Sequence, residues 1–108
     1  MASGSTRRTY GSVLAPNTPD TVLLTEAGFG VEVQNVNGAA PLYFTISSPG
    51  GPCPVPSVGG AAGQFVVASV AGSAIKMRQQ GLFGQIVQLV SSASVQYQVT
   101  VLGNHMDA

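Results

Sequence analysis

Catalysis needs groups that move protons or attack carbon, held close together, and this chain offers few of them. The one histidine, His105, stands beside the C-terminus, where a side chain is ordinarily solvated. Three carboxylates lie early in the chain: Asp20 begins an apolar run, Glu26 falls in a turn, and Glu32 alternates with valines. A glycosidase pair would need two carboxyls facing each other across a sugar bond, and the chain has no tryptophan to hold the sugar. Ser91, Ser92 and Ser94 share one short connection with no base beside them. Cys53 is the only cysteine, so it forms no internal disulfide, and no histidine accompanies it as a zinc ligand or catalytic partner. The glycines from Gly59 to Gly63 lack the lysine, hydroxyl residue and following helix of a phosphate loop. No catalytic, cofactor or metal residue is therefore expected, and the chain does not read as an enzyme.

The charged groups are Arg7, Arg8, Asp20, Glu26, Glu32, Lys76, Arg78 and Asp107, which sum to zero. They make up only 7% of the residues, against about 25% in an ordinary domain. Arg7, Arg8 and Tyr10 form a small basic-aromatic group, but balanced charges give little counterion release, so nucleic acid is not an expected partner. A neutral, charge-poor surface does little to keep copies of a free protein apart. The composition therefore points to a component of an assembly, whose surface is largely covered.

Positioning falls to β-strands. At 108 residues, 44% of them apolar, the chain is one domain able to build a core without metal or disulfide. Period-two alternation runs through "VEVQNV" (31–36), "LYFTI" (42–46) and "SVQYQVTVL" (94–102), each with one apolar and one wet face. "TVLL" (21–24), "QFVVASV" (64–70) and "QIVQLV" (85–90) are more continuously apolar, which suits central strands or strands covered on both faces. "SAIKMR" (73–78) lies between glycines too close for a long helix and alternates as a strand. Gly, Asn and Pro clusters punctuate these runs, and "SSAS" predicts a tight hairpin between the last two. The prediction is an all-β fold: an antiparallel β-sandwich or jelly-roll-like small barrel of about seven to eight strands. Residues 1–19 read as an extended N-terminal arm, 20–103 as the sandwich and 104–108 as a tail.

Between Ser47 and Gly63 runs an uncharged loop rich in glycine and proline. Pro49, Pro52, Pro54 and Pro56 stiffen it, so it would lose little entropy on docking against a partner. It reads either as an interface loop or as a tolerated surface insertion, and the scarcity of charge favours the interface. With Arg7, Arg8 and Tyr10 of the arm, these prolines are the candidate contact residues. With no apolar run of eighteen residues and no leader-like N-terminus, the chain is expected to be soluble and made in a cytoplasm.

Asn35 at the end of a strand, "PLYFT" from Pro41 to Thr45, the pair Gly59 and Gly60, and "VQLVSSASVQYQV" from Val87 to Val99 together resemble a known group. These features are similar to those of the short β-rich virion proteins encoded among the structural genes of tailed bacteriophages. The four-proline loop is longer than that group's pattern. The resemblance implies a capsid decoration, or cement, protein on the outside of the phage head. Its partner would be the major capsid protein, its state a homo-oligomer with a trimer favoured, and its location the virion surface; no catalytic residue comes with it. A tail or head–tail junction protein is the nearest alternative, and a carbohydrate-binding or adhesion sandwich the alternative of another class.

Overall fold

A computed structural model describes residues 8–24, 30–47, 53–59, 64–78 and 85–102 of the chain. They form eight strands: β1 (Arg8–Val13), β2 (Asp20–Leu23), β3 (Gly30–Asn35), β4 (Leu42–Ile46), β5 (Phe65–Val67), β6 (Ser73–Arg78), β7 (Ile86–Val90) and β8 (Gln96–Leu102). All ladders are antiparallel, and they build two four-stranded sheets. Sheet A has the order β1-β8-β3-β6, and sheet B the order β2-β7-β4-β5. The sequence's prediction of an all-β sandwich holds.

The pairings are nested: β1 with β8, β2 with β7, β3 with β6 and β4 with β5. Pairs β3–β8 and β4–β7 then close each sheet. A long hairpin rolled on itself gives this order, which is the topology of a double-sheet jelly roll. Seven residues of the chain's predicted arm lie outside the described residues, and from Arg8 the arm is not an arm at all. Residues 8–13 make an edge strand, with Arg8 opposite Val101 and Val13 opposite Gln96.

The hairpin expected at "SSAS" is also corrected. β7 belongs to sheet B and β8 to sheet A, so this connection crosses from one sheet to the other. Sheets stack about 10 Å apart, a gap that a few residues can span. The crossing is held by Ser91 Oγ donating to Pro41 O at 2.8 Å and Leu14 N donating to Val95 O at 2.9 Å. The strictly alternating β3 and β8 are the central strands of sheet A, with Val31, Val33, Val99 and Val101 buried between the sheets. The three continuously apolar runs all fall in sheet B. Of these, only β7 is central, while β2 and β5 are edges that leave Leu23 and Val66 exposed.

Two polar groupings lock the layers. Tyr97 on β8 is 2% exposed, and its hydroxyl donates to Asp20 Oδ2 on β2 at 2.6 Å, joining the sheets through the core. At the end of β3, buried Asn35 donates from Nδ2 to Ala40 O at 2.8 Å and Ala68 O at 3.1 Å, while its Oδ1 accepts from Gly38 N at 2.9 Å. The β3–β4 and β5–β6 crossings thereby share one amide. Gly38 takes φ +66°, and a Cβ there would stand 2.4 Å from Ala71 N, so only glycine permits the two turns to touch.

Gly38→Ala is expected to cost at least about 2 kcal/mol in denaturant unfolding, because it adds strain and a backbone clash together. Tyr97 gives a pH signature. Its burial first, then its bond to Asp20 and that carboxylate's charge, push the phenol well above its ordinary pKa. A raised folded pKa means the stabilisation is whole below the unfolded tyrosine value of about 10 and is lost as pH climbs above it. Unfolding free energy measured from pH 8 to 11.5 should fall above about pH 10, and Tyr97→Phe should flatten that fall while lowering stability near neutrality by about 1–2 kcal/mol.

Candidate interaction surface

The proline-rich segment lies on its own sandwich. Thr45 and Gln88 are register partners on the outer side of sheet B, and both reach the loop. Thr45 Oγ1 donates to Pro54 O at 2.5 Å, and Gln88 Nε2 donates to Cys53 O at 3.1 Å. Cys53 Sγ donates to Ile86 O at 3.4 Å. Residues 53–56 thus form a strap across the face, burying Thr45 and Pro56 beneath it. Beyond the strap, the Gln64 amide grips both backbone groups of Ser57, accepting from its N at 2.5 Å and donating to its O at 2.9 Å. The described part of the loop is thus fastened to its own sandwich.

The candidate contact residues separate accordingly. Pro54 is exposed on the strap and Pro56 is buried in it. Tyr10 sits on β1 opposite Val99, half-buried and packed on the core, so it serves the sandwich instead of reaching away from it. Arg8 belongs to β1, while Arg7, Pro49 and Pro52 lie outside the described residues. Glu26 and His105 also lie outside them. Asp20 is engaged by Tyr97 and by Thr21 N at 3.0 Å, and Ser91 by Pro41, so both act in the frame. Among the described residues no group of three His, Cys, Asp or Glu gathers to hold a metal ion.

What periodicity did not foretell is how unlike the two outer faces are. Among the described residues the charged positions are Arg8, Asp20, Glu32, Lys76 and Arg78. All but Asp20 lie on strands of sheet A, where Glu32 stands in register with Lys76. The outer side of sheet A carries Glu32, Lys76, Gln34, Gln98 and Thr100, with Val13 exposed at its β1 edge, so most of that surface prefers water. The outer side of sheet B, strap included, has no charged residue among those described. It shows Leu23 at 54% exposure, Val55 at 63% and Val66 at 52%, with Val58 exposed near the strap's end. Apolar side chains this exposed, in a patch without charge, mark a surface that gains by being covered.

The arrangement suits binding: a face without charge among the described residues, presented by a sheet and a latched proline strap. Loosening the latch gives a measurable effect. In Thr45→Val and Gln88→Ala, Cys53 should react several-fold faster with a thiol reagent, while the far-ultraviolet dichroism stays that of the parent. Set against known proteins, the chain matches no protein-family model and no curated protein at significant similarity.

Proposed function

We propose that this chain is a structural component of a phage virion, a decoration protein that binds the outside of the assembled head as a homo-oligomer and reinforces it. The observation that carries the reading is the partition of the surface among the described residues, with most charged positions on sheet A and a strapped, partly apolar face without charge on sheet B. That is the construction of a building part, with one side to be covered and one to stay wet. Two further features support it: the resemblance of Asn35, Pro41–Thr45 and Val87–Val99 to small virion proteins, and a jelly-roll topology, which recurs in capsid domains. Topology alone does not assign function, since lectin-type sandwiches share it.

Mechanically, a ligand that binds only the closed lattice stabilises that lattice by mass action. Several weak contacts made at once by an oligomer give the needed avidity. The major capsid protein is the partner in this reading, and no chemistry is transacted. The purified protein should co-sediment with assembled heads of the phage that encodes it and not with unassembled capsid subunits. It should also raise the temperature at which those heads release DNA. Absence of binding to intact heads removes this function, and labelled particles would distinguish a head from a tail position.

A further inference from the structure

We infer that the outer face of sheet B is a self-association surface, covered in solution by the same face of a second copy of this chain. Strands β2, β5 and β7 lack the polar alternation that a wet face requires, as the sequence already indicated. The strap covers the middle of that outer face and still leaves exposed Leu23 on one edge strand, Val66 on the opposite edge and Val55 on the strap itself. The outer side of sheet A is mostly polar, with Glu32, Lys76, Gln34 and Gln98, and its exposed large apolar residue, Val13, stands alone at the β1 edge among the described residues.

Charge selects the occupant. A partner bearing ions would have to shed their hydration against a face with no countercharge among the described residues, which is costly. The face set against itself meets neither that cost nor like-charge repulsion, which is the condition for an isologous contact. A second copy is also the one such partner present as soon as the chain is made. The area suffices, since the molecule is a slab of 39 × 29 × 18 Å, and its broad side can bury the about 800 Å² per partner of a standard interface. The strap's bonds to Thr45 and Gln88 fix Val55 beforehand, so little ordering remains for association.

This inference does not need the virion reading, and it departs from the trimer that the resemblance implies, because a like-to-like contact has two-fold symmetry. The test is the mass of the full chain by sedimentation equilibrium up to about 200 µM, at low and high salt. The expected result is a dimer that persists in high salt, since no ion pair holds it. Leu23→Glu and Val66→Glu should each weaken dimerisation at least about tenfold, with the parent's circular dichroism retained. Val55→Glu, which changes no strand, should do the same if either strand variant fails to fold. Ala74→Glu, on the outer side of sheet A, should leave the dimer intact. A monomer throughout, a trimer, or a dimer indifferent to Val55→Glu overturns the inference. A dimer that ignores phage heads would leave the inference standing and remove the virion function alone.

Discussion

The fold depends on satisfying one buried amide. Asn35 is fully enclosed, and a buried amide without partners is expensive, so its surroundings must supply them. Ala40 O, Ala68 O and Gly38 N do so, and they belong to the two crossings that carry the chain into β4 and out of β5. Besides its ladder to β7, the β4–β5 hairpin is therefore tied at both of its crossings to one side chain on the other sheet. Its placement decides where Thr45 and Val66 stand, and with them the strap and the uncharged face. Asn37 extends the lock, accepting from Gln96 N at 3.1 Å and donating to Ser94 O at 3.2 Å, so that the β7–β8 crossing joins the same end.

Much of this was legible where one rule decided the outcome. Alternation placed Val31, Val33, Val99 and Val101 inward and Glu32 outward, as found. The errors fall where two arrangements share a pattern. Four small residues at "SSAS" serve a hairpin or a crossing between sheets equally well, and periodicity is blind to which sheet comes next. β1 went unseen because an edge strand needs only one half-buried face, and "RTYGSV" supplies it with Tyr10 amid polar neighbours. "QFVVASV" continued as a pattern, but Ala68 O is taken by Asn35 and the chain turns, so β5 stops at Val67.

The interaction surface was legible in character and not in place. Scarce charge announced a covered surface, yet composition does not say where charges cluster. Thr45 read as a wet-face residue of an alternating strand, and Gln88 fell in a run read as central or covered on both faces. Their hydrogen bonds to a segment distant along the chain follow from tertiary folding alone. Tyr97 is similar: alternation put it inward, while its partner Asp20 lies 77 residues away. The prolines that stiffen the strap reduce the freedom it gives up on docking, which suits a segment secured by so few bonds.

The nesting of the strands has a temporal consequence. The first strand finds its neighbour only in the last, and the second only in the next to last, so most ladders close very long loops. Only β4 and β5 pair with a strand adjacent in sequence, across the proline-rich loop. Chain entropy must be surrendered before these remote partners reward it, which slows folding relative to helical or meander topologies of equal length. A ribosome must therefore have made β8 before sheet A can be completed. Until then the apolar edges of a half-made roll stay open to neighbouring chains, and crowding during synthesis is the hazard this architecture accepts.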